Sequence, residues 1–215
     1  MATEKTPTRE KILVATEHLI AEHGFDAVSL RDITNKAEVN VAAVNYHFGS
    51  KEKLFDAVQC RCINPINEER IYRLELLTKG GEIAGIREIL DAFMRPFLTM
   101  VTQSEMKEQM FFKLMGRCLN DQHANLPKEA MPLLGEMAEA FTSAIAAALP
   151  NMPVDQLLWR LHYTFGVMAN TLIYSETLEQ LTNGACGQPD MEEQLEWMIN
   201  FCHAGFISDQ GDVKK

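Results

Sequence analysis

Residues 38–55 read EVNVAAVNYHFGSKEKLF. Asn40 carries the side chain of a helix N-cap, and Val41 to His47 makes a helix of barely two turns. Val44 and Phe48 stand four residues apart and share its inner face, so Tyr46 and His47 point elsewhere. Phe48-Gly49 ends the helix, and Ser50 caps a longer one that starts at Lys51 and runs through Leu54, Phe55 and Val58. A short helix ending in an aromatic, an imidazole and an aromatic either fills a core or touches something outside the protein with one end.

The flanking sequence narrows the choice. A first helix begins near Thr6 to Thr8, with Pro7 suited to its opening turn. Ile12, Ala15, Thr16, Leu19 and Ile20 form its buried stripe. It stops at His23-Gly24-Phe25, where Gly24 suits the left-handed C′ position and Phe25 can fold back on Ile20, as in a Schellman ending. Ser29 opens a second helix, with Asp32 at capping-box spacing and Leu30, Ile33 and Ala37 inside. Ala37-Glu38-Val39-Asn40 leaves room only for a turn. Helix, tight turn, helix is the layout in which a second helix can enter the DNA major groove.

Beyond residue 60 the helices lengthen, and no strand alternation or βαβ rhythm appears, so the fold is all-α. Pro65 is expected to interrupt or kink the fourth helix. Further helices are expected over Ile86–Val101 (kinked at Pro96), Glu105–Leu119, Pro127–Leu149, Asp155–Leu181 and Met191–Ile207. On the penultimate helix Leu157, Leu161, Phe165, Met168 and Leu172 form one stripe, while Leu158, Trp159, Tyr163 and Val167 spill onto others. Leu195, Met198, Ile199, Cys202 and Phe206 share one face of the last. Two terminal helices apolar over so wide an arc serve either a thick monomer core or a four-helix bundle made with a second chain.

The chain has 215 residues, 47% of them hydrophobic, which suffices for a buried core and argues against global disorder. No apolar run approaches the ~18 residues that span a bilayer, and MATEKTPTREK lacks the apolar segment of a secretory signal. The five cysteines have no framework spacing, which fits a reducing compartment, so a cytoplasmic location is expected. Net charge is −10, and residues 1–60, with 7 Lys and Arg against 9 Asp and Glu, are themselves acidic. DNA binding would therefore rest on locally placed cations, supplied by Arg9, Arg31, Lys36, Lys51 and Lys53.

Other constellations carry little chemistry. Cys60 and Cys62 lie ~200° apart on a helix, a poor pair for one metal ion; Cys118 with His123 and Cys202 with His203 are equally loose. No catalytic triad signature, phosphate-binding glycine loop, HExxH or dinucleotide fingerprint occurs, so no catalytic residue, metal site or cofactor is expected. The Met and Phe stripe from Met94 to Met115 is either core or the lining of an apolar pocket.

The stretch SLRDITNKAEVNVAAVNYHFGSKEKLF, from Ser29 to Phe55, resembles the N-terminal domain of TetR-family transcriptional regulators. The resemblance lies in Tyr46-His47-Phe48, the small residue and Ser-Lys-Glu that follow, the Leu and aromatic after them, and the upstream Gly24-Phe25 before the Ser29 cap. It covers roughly residues 8–60. It implies a three-helix DNA-binding domain at 8–68, with its helix-turn-helix at about 29–48, and a larger helical effector-binding and dimerisation domain at 69–215. It further implies a regulator, most simply a ligand-released repressor, that binds a palindromic double-stranded DNA operator as a homodimer through helices 155–181 and 191–207. The alternative is a helical small-molecule-binding or interaction module without DNA binding. NVAAVNYHFGSK at 40–51 and LLWRLHYTFG at 157–166 are similar to a branch containing regulators of fatty-acid metabolism, which suggests a small apolar effector, a fatty acid or acyl thioester. Nothing in the sequence marks the residues that would bind it.

Carried onto this chain, the resemblance implies DNA contacts from Ser29, Arg31, Asn40, Val41, Ala42, Asn45, Tyr46, His47 and Lys51. Ser29 at a helix N-terminus can meet a phosphate or serve as a cap alone. Asn40 caps its helix and can also reach DNA. Val41 and Ala42 suit a thymine methyl. Asn45 is placed either for a base edge or for solvent. Tyr46, His47 and Lys51 suit phosphates flanking the groove. The family often has Gly where this chain has Glu38; a left-handed backbone there would cost Glu ~1 kcal/mol relative to Gly. Its charge would also sit near the DNA surface.

Overall fold

The structure, a computed structural model, describes residues 7–103, 106–120 and 126–208. Among these are nine α-helices and no strand: α1 (Thr8–His23), α2 (Leu30–Ala37), α3 (Val41–Phe48), α4 (Lys51–Leu77), α5 (Ile86–Gln103), α6 (Glu108–Asn120), α7 (Met131–Ala148), α8 (Val154–Leu181) and α9 (Met191–Ile207). The all-α class is as expected. Thr6, Glu105 and His123, named in the sequence reading, lie outside the described residues. The chain groups into two compact units, residues 1–64 with 104–131 and residues 65–103 with 132–215. Thus α6 belongs with the N-terminal helices, and α4 contributes to both units.

In the first unit α1 is the central element, packed against α2, α3 and α6. Its expected stripe, Ile12, Ala15, Thr16, Leu19 and Ile20, is buried, as are Ile33 and Ala37 of α2 and Val44 and Phe48 of α3. Phe111, Leu114, Met115 and Cys118 supply the buried side of α6. Arg61 of α4 reaches across to α1, pairing with Glu10 at 2.6 Å and the largely buried Glu17 at 3.0 Å. Burial raises the Glu17 carboxyl above its ordinary value, against the pull of Arg61.

The Schellman ending expected at Gly24 is not formed there. Gly24 has φ 81° but ψ 168°, so the chain leaves α1 extended rather than curling back. Its N–H donates to the Ile20 carbonyl at 2.8 Å, and Phe25 packs edge-on against Phe55 with centroids 5.3 Å apart. The motif appears at the end of α2 instead. Glu38 is left-handed, at φ 56° and ψ 46°. Its N–H donates to Asn35 O at 3.3 Å, and the Val39 N–H donates to Thr34 O at 3.0 Å, the paired bonds of that ending.

Pro65 does not interrupt α4, which runs through it, and Pro96 likewise lies inside α5. A proline removes one N–H, and packing of the flanking turns can carry a long helix across the gap. Pro127 opens a turn, its carbonyl accepting from Ala130 N–H at 2.9 Å, and α7 begins only at Met131.

In the second unit α9 packs against both α5 and α8. Leu195, Met198, Ile199, Cys202 and Phe206 are buried, the face expected for α9. Arg95 joins Asp91 on its own helix to Glu192 of α9, each at 2.7 Å, and Arg87 pairs with Glu196. On α8, Leu157 and Met168 are buried and Leu161 and Phe165 half-buried; the side chain of Leu172 lies outside those described. Leu158, Trp159 and Tyr163 of α8 stay exposed, as do Trp197 and Phe201 of α9.

The strain at Glu38 has a measurable size. Glu38→Gly is expected to raise unfolding stability by about 1 kcal/mol, because glycine adopts positive φ without a Cβ clash. Glu38→Ala, which keeps the Cβ, should not. An unchanged or lower denaturant midpoint for the glycine variant would show that the ending carries no strain.

Candidate nucleic-acid interface

The interface is built on α3, and its geometry follows from how that helix is held. Only Val44 and Phe48 are buried on it. With two anchors four residues apart, the remaining residues must face outward. Val41, Ala42, Asn45 and Tyr46 are exposed, Tyr46 at 85%, and Ala43 and His47 are half-buried. The His47 ring stands edge-on to Tyr46 at 5.1 Å and to Phe48 at 6.3 Å. Asn40 caps the helix, its Oδ1 accepting the Ala43 N–H at 2.9 Å, a bond that does not use its amide N–H₂. Gly49, at φ 83° and ψ −45°, ends the helix in a backbone that an L side chain rarely adopts.

The start of α2 lies on the same unit. Ser29 and Asp32 form the reciprocal capping box: the Asp32 N–H donates to Ser29 Oγ at 3.2 Å, and the Ser29 N–H donates to Asp32 Oδ2 at 3.0 Å. The Ser29 hydroxyl also donates its proton to that carboxylate. These bonds hold the Asp32 carboxyl below its ordinary value, so it is charged at neutral pH. Ser29 is thus engaged as a cap, and any phosphate near its hydroxyl would meet a carboxylate. With the Asp32 N–H taken by Ser29 Oγ, the Leu30 and Arg31 N–H groups are the natural anion donors of this turn. Arg31 is exposed on that turn.

Among the described residues three cations lie over aromatic rings. Lys51 Nζ lies 5.0 Å from the Phe55 ring centroid, and the Arg9 guanidinium lies 5.2 Å from that of Phe48. The third, Arg70, belongs to the other unit. Arg9 is the residue whose position sequence reading misses: it sits 39 positions before Phe48, and only the packing of α1 on α3 brings them together. Its placement over Phe48 adds a cation at the end of α3. Over residues 29–53 the balance is Arg31, Lys36, Lys51 and Lys53 against Asp32, Glu38 and Glu52, slightly basic within an acidic chain.

This arrangement can present small apolar side chains, the amides of Asn40 and Asn45 and a set of donors to a grooved anionic surface. It holds no nucleophile–base pair. Among the described residues no group of three His, Cys, Asp or Glu side chains could hold a metal ion, and no helix is long and apolar enough to cross a membrane.

Comparison with known proteins gives the same picture in two parts. Residues 12–58 match the family of bacterial regulatory proteins called the tetR family, and residues 91–205 match the tetracyclin repressor-like C-terminal domain. The transcriptional regulator UidR of Escherichia coli K12 is 36% identical over 58 residues, which are 27% of this chain and 30% of that protein. The transcriptional repressor AcnR of Corynebacterium glutamicum is 27% identical over 86 residues, 40% of this chain and 42% of that one. The chain therefore spans less than half the length of either relative it matches. The crystal structure of Mycobacterium smegmatis AmtR aligns over 98% of this chain and 90% of its own, with a TM-score of 0.61 and 19% identity, a likeness of fold.

The capping box has a signed pH dependence. Ser29→Ala is expected to cost about 1 kcal/mol of stability at neutral pH. Because the folded pKa of Asp32 is depressed, its share is present above the unfolded carboxyl pKa and lost as pH falls through the folded value. Denaturant titrations of wild type and Asp32→Asn should therefore differ at neutral pH and converge in acid. A gap that persists in acid would mean that the carboxylate charge is not what the box uses.

Proposed function

The chain belongs to the tetR family of bacterial regulatory proteins, and from that membership we propose that it is a DNA-binding repressor released by a small molecule. The observation that carries the reading is the outward face of α3, where Val41, Ala42, Asn45 and Tyr46 are exposed beside half-buried His47. In the proposed complex the N-terminal turn of α3 faces base edges in the major groove, with Val41 and Ala42 near thymine methyls and Asn45 bonding to a base. Tyr46, His47, Lys51 and Arg9 contact phosphates on the flanking strands. The Arg31 side chain and the Leu30 and Arg31 N–H groups at the start of α2 meet a further phosphate, and the Asn40 amide reaches the backbone from its cap.

Two copies pair through α8 and α9. The support is the apolar surface that one chain leaves in water: Leu158, Trp159 and Tyr163 on α8, Trp197 and Phe201 on α9. Two-fold pairing sets two α3 helices in successive major grooves, ~34–36 Å apart, on a palindromic operator. A small apolar effector, a fatty acid or acyl thioester, binds the second unit and favours a state with lower DNA affinity, by no more than its differential affinity for the two states. The protein works in the cytoplasm. A second reading, a helical small-molecule-binding or interaction module that binds no DNA, draws support from the carboxylates of Asp32 and Glu38 beside the candidate contacts.

Fluorescence anisotropy with the DNA flanking its own gene, followed by selection from a random pool, separates the two. The regulator reading expects saturable, sequence-dependent binding that weakens steeply with salt. His47→Ala and Lys51→Ala should bind more weakly with unchanged helical circular dichroism, Lys51→Ala lowering the salt slope by about 1. Asn45→Ala should cost about 1–3 kcal/mol and relax preference at one base pair. Failure of both the flanking DNA and the random pool to yield a preferred sequence leaves the non-DNA module standing.

A further inference from the structure

The second unit buries a charge that DNA binding does not use. Arg70, on α4, is 5% exposed. Its Nε–H donates to the Phe93 carbonyl at 2.7 Å, Nη1 to Asn67 Oδ1 at 3.0 Å and Nη2 to the Met168 sulfur at 3.5 Å. The guanidinium carbon lies 4.1 Å from the Phe93 ring centroid. Every acceptor is neutral, and among the described residues no carboxylate pairs with it. The three bonds occupy three of the five guanidinium N–H groups, one of them on a thioether, which is a weak acceptor. Burial alone acts on its charge, and pulls its pKa down to about 9.

A buried cation without an anion is among the costliest features a core can hold. Holding the Phe93 carbonyl and the Asn67 amide requires donors, but not a charge. What the charge adds is affinity for an anion. The surroundings are apolar: Phe93 meets Phe141 edge-on at 5.2 Å, and Met94, Phe97, Phe141 and Met168 are all buried.

We propose that Arg70 is the anion anchor of an effector site in this unit, and that the effector is an apolar molecule bearing a free carboxylate. This rests on the ligand-responsive reading above and narrows it, choosing the acid over the ester or thioester. The carboxylate takes the place of the Met168 sulfur at the Nη2 edge and bonds to the guanidinium fork, while the flexible methionine moves aside. Phe93 and its neighbours receive the apolar body. The exchange replaces the weakest of the three bonds with a charge-assisted one. It acts where α4, α5 and α8 meet at one side chain.

Full-length protein is titrated with octanoate, palmitate and phenylacetate, each beside its methyl ester, reading Tm and anisotropy on the selected DNA. At least one acid is expected to raise the wild-type Tm by several degrees, its ester to do nothing, and Arg70→Met to lose the shift. Arg70→Lys keeps the charge without the fork and should respond with affinity about tenfold weaker or worse. The proposal is overturned if acid and ester act alike, if no acid shifts the wild type, or if Arg70→Met responds as the wild type does. Should the Met variant fail to fold by circular dichroism, the Lys variant decides: undiminished acid affinity overturns the anchor. DNA affinity without any acid is read in the same experiment, so absence of DNA binding sinks the regulator reading while the Tm arms still judge Arg70.

Discussion

Everything the candidate interface can do depends on two buried side chains, Val44 and Phe48. A helix of eight residues is far too short to persist alone in water. It exists because those two residues are held by the α1–α2 core, and their four-residue spacing then decides, with no further freedom, which side chains look outward. The ends are fixed separately, by the Asn40 cap and by Gly49 in a backbone few other residues accept. The face is therefore pre-set: the folding of α1, whose buried stripe makes the seat, aims Asn45 and Tyr46 before any partner arrives. Arg9 completes this economy from the same helix, covering Phe48 on its outer side.

Much of this was legible in the sequence, because the relevant signals are local. Caps at Ser29, Asn40 and Ser50 depend on side chains within three residues of their targets, and the stripes of α1 and α9 repeat at the helical period. What was not legible depended on residues far apart in the chain. Gly24 suits a left-handed cap by its composition, yet the chain leaves extended there, with the Arg117 side chain of α6 3.4 Å from where a Cβ would sit. Nothing near residue 24 announces a helix that begins at residue 108. Pro65 invites an interruption or a kink because local rules penalise it, and tertiary packing carries α4 through it. The Arg9–Phe48 and Arg70–Phe93 stackings have no sequence signature at all.

Where local rules are broken without an evident gain in stability, a working requirement is the natural place to look. Glu38 and Arg70 are two such positions. One puts an anion and a strained backbone at the turn ahead of α3; the other puts a cation in a core of aromatic and thioether groups. They differ in kind. The strain at Glu38 is backbone strain, which glycine removes at no cost in contacts. The cost at Arg70 is one of solvation, and removing the side chain strands the Phe93 carbonyl and the Asn67 amide that it now serves.

The exposed aromatics on α8 and α9 have an optical consequence. The chain holds two tryptophans, Trp159 and Trp197, and both stand more than half exposed on the two helices of the proposed self-association face. None lies in the unit that carries α3. Indole emission from this protein is therefore a report on one event, the transfer of those two rings out of water, and is blind to local changes in the unit that carries α3. Dilution across the association range would shift the emission to the red in proportion to the population of separated chains, without any label being attached.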